Sequence, residues 1–327
     1  MTAAHILIII VTVYSNESAG RTVRIPCMAM RQMMLSDWLK ERFGTKVYKL
    51  SLSSGCTCPN RDGTLGTGGC AFCSEGGSGE FAAPFLPIDE QIRIAKEKVE
   101  AKFPKGTDPK DRKYIAYFQS FTNTYGDPVR LGQLYAAALL KPEICALSVG
   151  TRPDCISGEM MTVLTDLNRI KPVWIELGLQ TIHERTAEQI RRGYGLSVFE
   201  TAYYRLKKDG LSVILHLILG LPGETKQDML ASVRYISKLD PPPDGVKLAQ
   251  LQILKNTRIG EQYQKEPFPV MSPEDYCGLL KECLEILPES VVIHRLTGDG
   301  PKKQLIEPQW SADKKRVINM IRKAVVL

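Results

Sequence analysis

At 327 residues, 43% of them hydrophobic and 24% charged, the chain can bury a sizeable core, which excludes a disordered protein, a collagen-like repeat and a secreted mini-protein. Its 43 Lys and Arg against 36 Asp and Glu leave a formal net charge of +7, unevenly spread. Residues 301–327 carry +5, residues 1–34 carry +2 and 35–300 sum to zero, so an anionic partner is expected to meet the C-terminal tail first.

In chain order, the run from His5 to Tyr14 is apolar and β-branched, but spanning a bilayer takes about 20 apolar residues and no Lys or Arg precedes it. No membrane anchor is expected. Residues 1–34 read as an extension outside the core, with Met33 or Met34 as the working start; a weak signal peptide and an extra edge strand are the competing readings. From Leu35 on, the chain reads as soluble and cytoplasmic. Ser36 caps a predicted helix over 37–43 that stops at Gly44.

Apolar runs then predict strands over 47–52, 114–118, 146–151, 173–179, 213–219 and 245–250. Between them, apolar residues three and four apart predict helices over 88–103, 131–140, 158–168, 184–191, 198–208 and 226–239. Six strand–helix units imply an α/β fold with a parallel sheet, open or curled into a partial barrel, and place the site at the strand ends. Beyond about residue 260 the pattern changes. A helix begins at Ser272-Pro273 and runs to about Leu287, a strand follows over 291–296, and a basic helix occupies 313–326. The expected organisation is a core over 35–260 and a small α+β extension over 261–327.

The chemistry concentrates directly after the first strand. Cys56, Cys58, Cys70 and Cys73, four of the nine cysteines, lie within 18 residues in a loop containing five glycines. Thiols at this density in an intracellular α/β chain read as metal ligands. Three readings compete. A structural zinc site would use all four sulfurs, although the Cys56-x-Cys58 half is tighter than the usual spacing. A redox dithiol would use Cys70 and Cys73. A [4Fe–4S] cluster would use Cys58, Cys70 and Cys73, leaving one iron open for a ligand against which Phe72 would pack. Cys27, Cys145, Cys155, Cys277 and Cys283 show no ligand spacing and read as ordinary buried thiols.

The spacing Cys58-x11-Cys70-x-Phe72-Cys73 resembles the cluster loop of the radical S-adenosylmethionine (SAM) superfamily. The words Cys58-Pro-Asn-Arg-Asp-Gly-Thr64, Ala116-Tyr-Phe-Gln-Ser-Phe-Thr-Asn-Thr124, Val149-Gly-Thr-Arg-Pro-Asp154, Glu176-Leu-Gly-Leu-Gln180, Leu219-Gly-Leu-Pro-Gly-Glu224 and Arg295-Leu-Thr-Gly-Asp299 resemble more narrowly the YhcC/YtqA-type group, related to the radical SAM domain of the Elongator catalytic subunit. The resemblance covers roughly 35–327. It implies a partial (β/α)6 TIM-type barrel, a [4Fe–4S] cluster on Cys58, Cys70 and Cys73, and SAM as cofactor, whose reductive cleavage yields a 5′-deoxyadenosyl radical. An electron donor such as flavodoxin or ferredoxin is implied with it.

Carried over residue by residue, the resemblance implies SAM contacts from Phe72, Asn123, Glu176, Gln180, Arg192 and Ile218. Glu176 sits on an apolar strand, so its carboxylate needs a partner, a salt bridge or a SAM polar group. Arg192, twelve residues after Gln180, matches an arginine that meets the SAM carboxylate in relatives, with Arg191 as its rival. Ile218 takes the place of an adenine-stacking residue, and Gly220-Leu-Pro-Gly223 lets backbone approach the nucleoside. Asn123 is the best substitute for the glycine-rich word that meets the SAM amino group. His216 stands where some relatives carry aspartate and is left without a role, as is Cys56, while Arg152 and Asp154 are candidates for an ion pair.

The resemblance further implies a substrate, the wobble uridine of tRNA with a 5-carboxymethylaminomethyl-type side chain. In that case Lys302, Lys303, Lys314, Lys315 and Arg316 of the basic tail would contact phosphates, with Trp310 as a stacking residue. Radical chemistry on a small molecule or a protein, and a zinc-stapled RNA-binding protein without catalysis, are the alternatives.

Overall fold

The computed structural model describes residues 32–325. The chain forms α1 (Leu35–Phe43), β1 (Val47–Leu52), α2 (Ile88–Glu97), β2 (Lys113–Phe118), α3 (Pro128–Leu139), β3 (Ile144–Thr151), α4 (Gly158–Asn168), β4 (Val173–Gln180), α5 (Glu184–Gln189), α6 (Leu196–Lys208), β5 (Ser212–Leu219), α7 (Lys226–Ser237) and β6 (Gly245–Gln250). There follow β7 (Ile253–Leu254), α8 (Arg258–Lys265), α9 (Pro273–Ile286), β8 (Val292–Arg295), β9 (Leu305–Glu307) and α10 (Lys314–Ala324). The main sheet has seven strands in the order β1-β2-β3-β4-β5-β6-β8, each pair parallel. Successive strands lie side by side with a helix on each crossover, the arrangement of a curled partial barrel.

Three local expectations shift. Ser36 lies inside the first turn of α1, whose N-cap is Met34. The helix predicted over 88–103 ends at Glu97, and a separate 3-10 turn takes Glu100–Lys102. The strand expected in the C-terminal extension is β8, which pairs with β6 and lengthens the main sheet. Gln32–Met34 also pack on the body: Gln32 Nε2 donates to the Leu284 and Leu287 carbonyls at 3.1 and 3.2 Å, and Ile293 N donates to the Met33 carbonyl at 2.9 Å. The apolar run 5–14 and Cys27 lie outside the described residues.

Alternation along the strands sorts the side chains. One set faces the helices and, with them, makes the main core, which includes Leu50, Phe118, Tyr135, Leu147, Ile175, Leu215 and Leu248. The other set faces inward, and its period of two stacks it in layers. Ile115, Ala146, Trp174 and Ile214 form an apolar bottom layer sealed by Leu39 and Trp38 of α1, with Trp38 edge-on to Trp174 at 5.6 Å. Two residues further along the same strands stand Tyr117, Ser148, Glu176 and His216, joined by Lys49 of β1 and Lys247 of β6. Another step brings Gly150, Gly178 and Ile218 to the mouth, where the cysteine loop lies. Among the described residues, no helix is long and apolar enough to cross a membrane.

Candidate functional site

A cavity of about 290 Å³ opens at the C-terminal ends of the strands. Cys58, Cys70 and Cys73 line one side, with Phe72 between the last two. The loop that carries them is held from several directions. Asn60 Nδ2 lies 3.3 Å from Cys70 Sγ and donates to the Arg191 carbonyl at 2.8 Å. Ala71 N donates to the Ile190 carbonyl at 2.8 Å, and Arg61 Nη2 to the Cys73 carbonyl at 3.3 Å. Gly69 must be glycine: its φ is +82°, and a Cβ there would stand 2.9 Å from Arg61 Nε.

The three thiols suit a cluster that binds thiolates. Burial, then the neighbouring Cys73 thiol, pushes the Cys70 thiol up to about 12, so it ionises only when a strong cation takes the proton's place. Cys56 lies apart. Its sulfur is 3.5 Å from Arg130 Nη2 and it packs on the main core, outside the cavity. Among the described residues no three His, Cys, Asp or Glu side chains are arranged to hold a single metal ion. Cys56 thus stands apart from the three cysteines that line the cavity.

Gln180 and Ile218 line the same cavity. Gln180 ends β4 with φ +62°, and the Tyr194 hydroxyl bridges its Oε1 at 3.0 Å and the Gly178 carbonyl at 2.8 Å. A Cβ at Gly178 would lie 2.5 Å from Gln180 Nε2, so a side chain there would displace the Gln180 amide. Tyr194 in turn lies between two guanidiniums, with Arg152 Cζ 4.9 Å and Arg192 Cζ 4.8 Å from its ring centroid. Arg152 is the cavity-lining member of the expected ion pair; Asp154 accepts from its Nε and Nη2 at 2.9 and 2.7 Å.

Two of the expected contacts do not reach the cavity. Arg192 is 1% exposed, and its guanidinium is consumed by backbone: Nη1 donates to the Leu179 and Thr181 carbonyls at 2.9 and 2.6 Å, Nε to the Tyr194 carbonyl at 2.9 Å. It splints the turn after β4. Asn123 is fully buried, accepting from Ser54 Oγ at 2.7 Å and donating to the Phe118 and Gly150 carbonyls at 3.0 and 2.8 Å, so it ties the ends of β2 and β3 together. Gly220 and Gly223 line a separate groove with Phe268 and Met271.

Beneath the mouth lies a charged layer that the order of elements alone does not announce. Glu176 accepts hydrogen bonds from Lys49, Lys247, Ser148 Oγ at 2.8 Å and His216 Nε2 at 3.0 Å. The partner required for its carboxylate is thus several partners. Burial alone would raise the Glu176 pKa, but Lys247, Lys49 and His216 hold it well below the usual carboxylate range. Burial and the nearby Lys247 push His216 down to about 4 despite Glu176, which leaves it neutral. Lysines at alternate positions of the first and sixth predicted strands, in Val47-Tyr-Lys-Leu and Gly245-Val-Lys-Leu, were the available signal for this layer.

The basic tail is divided. Lys314 pairs with Asp299, a cavity residue, at 2.6 Å. Lys302 and Lys303 are exposed on a 3-10 turn. Lys315 and Arg316 line an open groove with Asn319 and Lys323 on α10. Trp310 is committed to packing: its Nε1 donates to the Met271 carbonyl at 2.9 Å and its ring meets Tyr276 at 5.6 Å.

The sequence profile of the Radical SAM superfamily matches residues 63–236, and that of the Radical_SAM C-terminal domain residues 243–326. The uncharacterized protein YtqA of Bacillus subtilis (strain 168) is 39% identical over 294 residues, 90% of this chain and 89% of that one. A tRNA uridine(34) acetyltransferase of Methanocaldococcus infernus is 26% identical over 168 residues, 51% of this chain and 31% of its own. Among solved structures, the archaeal Methanocaldococcus infernus Elp3 with an N-terminal deletion shares the fold with a TM-score of 0.61 at 18% identity, covering 85% of this chain and 63% of that one.

Proposed function

The chain belongs to the radical SAM superfamily, in the YhcC/YtqA-type group related to the Elongator radical SAM domain, and from that premise we propose that it modifies the wobble uridine of tRNA at a 5-carboxymethylaminomethyl-type side chain. Enzymes of the superfamily use a [4Fe–4S] cluster and SAM, and take their electron from a donor. In this reading Cys58, Cys70 and Cys73 would hold the cluster, and Phe72, Gln180 and Ile218 would bind SAM from the cavity wall. The cofactors supply a carbon-centred radical. The protein's share is to orient the substrate beside it and to exclude water and stray hydrogen donors, which the sealed apolar bottom layer suits.

The observation that carries the substrate is the likeness to the tRNA uridine(34) acetyltransferase over half of this chain. The exposed Lys302, Lys303, Lys315 and Arg316 support it as phosphate contacts. Cytoplasmic tRNA is the matching partner. Nucleoside mass spectrometry of tRNA from a strain lacking the gene tests the reading: a changed wobble-uridine profile is expected, and an unchanged one sinks it.

A further inference from the structure

Across β5, β6 and β8, one register row places His216 beside Lys247 and Lys247 beside Arg295. All three line the same cavity as the cysteines. The positive charge here is not balanced. Among the described residues Glu176 is shared by Lys49 and Lys247, and Asp299 by Arg295 at 3.4 Å and Lys314 at 2.6 Å. Four cations thus meet two carboxylates. The remaining charges of the cavity do not correct this, because Arg152 is neutralised by Asp154 and Arg61 stands near Glu80. His216 stays neutral, since burial and Lys247 hold its pKa at about 4.

A second observation points to a ligand rather than to a merely crowded wall. Gln250, at the end of β6, is 3% exposed, and its Oε1 accepts from Gly298 N at 2.7 Å. That bond fixes the amide, and its Nε2 is left buried, lining the cavity, with no hydrogen-bond partner among the described residues. A buried donor without an acceptor is costly and calls for an explanation.

We propose that Lys247, Arg295 and Gln250 form the receiving pole for an anionic oxygen group of the substrate, a carboxylate or a phosphate, held in the cavity that the cysteine loop also lines. An oxyanion placed there accepts from both cations and from the orphaned amide, and reduces the surplus positive charge of the wall. Burial, with Lys49 and Arg295, lowers the Lys247 pKa against the pull of Glu176, and an anion bound beside it favours the charged form. The inference rests on the radical SAM reading for its placement, but it specifies what the substrate must carry, whether an acidic side chain on a base or a phosphate of its backbone.

The test is isothermal titration of the anaerobically reconstituted protein with inorganic phosphate and, separately, with acetate. Saturable one-to-one binding is expected. It should weaken at least tenfold in both Lys247→Met and Arg295→Gln, and remain in Lys226→Ala, a surface lysine paired with Glu282 far from the cavity. Gln250→Leu keeps the charge and removes the amide, so it should weaken binding less, by several-fold. Tighter binding of phosphate names a phosphate ester as the source, and tighter binding of acetate names a carboxylate. Circular dichroism of each variant separates loss of binding from loss of fold. Binding that is absent in the wild type, or unchanged in both folded charge variants, overturns the proposal. SAM cleavage by the wild type is measured in parallel, so that failure of the radical SAM reading shows itself separately.

Discussion

Replacing Glu176 by Gln should be the most costly single substitution in the interior charged layer, and far more costly than removing either lysine. The carboxylate is wholly buried and is the shared counterion of Lys49 and Lys247, with Ser148 and His216 completing its hydrogen bonds. Glu176→Gln keeps the volume but leaves two ammonium groups, one of them buried, facing a neutral amide. Breaking a buried pair in this way costs about 3–5 kcal/mol, which in a chain of this size corresponds to a Tm drop on the order of 10 °C. Lys247→Met is the opposite case. Glu176 keeps Lys49, His216 and Ser148, and the methionine replaces the apolar stem of the lysine, so a loss of about 1 kcal/mol or less is expected. The double variant should recover at least about 1 kcal/mol relative to Glu176→Gln, because one unpaired cation has gone with its counterion. Urea unfolding of the cluster-free protein, followed by circular dichroism, measures all three. Equal costs for the two single variants would refute the view that positive charge is in excess here.

The remaining predictions concern separate parts of the site. Cys58→Ala, Cys70→Ala and Cys73→Ala should each abolish the broad absorbance near ~400 nm after anaerobic reconstitution, whereas Cys56→Ser should retain it, since Cys56 packs beside Arg130 outside the cavity. His216 titrates near 4 when folded and near its ordinary 6.5 when unfolded. Between those values the unfolded state binds the extra proton, so this stability is complete above about 6.5 and falls as the pH drops toward 4, by roughly 3 kcal/mol at most. His216→Asn should flatten that part of the stability–pH curve, and an unaltered slope counts against the assignment. Replacing Lys315 and Arg316 together by Ala should weaken tRNA binding uniformly across sequences and lower the slope of log K against log salt by about two. Lys314→Ala should act differently, through Asp299 and the cavity wall, and leave that slope nearly unchanged.

The fold was legible because parallel strands buried on both faces read as continuous apolar runs, and each run here is followed by a segment of helical period. β4 shows it plainly, with every residue from Val173 to Leu179 buried. That Cys58, Cys70 and Cys73 come to line one cavity was legible because their spacing is local. Other features depended on contacts between distant segments. Trp310 reads as a stacking residue next to basic neighbours, yet it packs beneath Met271 and Tyr276, which arrive from a different stretch of chain. Asn123 and Arg192 sit at positions that imply cofactor contacts, but a side chain with several donors serves equally well to satisfy backbone carbonyls at a strand end, and spacing does not tell these uses apart. The charged layer lies between: its lysines and Glu176 stand at alternate strand positions, which points them inward, while their convergence on one carboxylate requires the sheet to curl.

That curl also changes what the C-terminal segment is. Its composition suggests an appendage carrying surplus positive charge, but β8 completes the sheet and supplies Arg295, while the loop after it supplies Gly298, Asp299 and Gly300 to the cavity. Gln250 at the end of β6 and Gln252 just beyond it fasten that loop, accepting from Gly298 N at 2.7 Å and Gly300 N at 2.6 Å. Lys314 on the first turn of α10 then holds Asp299 from outside. A chain of direct contacts thus runs from the basic helix to Arg295, so the surface that carries Lys315 and Arg316 is one residue removed from a wall of the cavity.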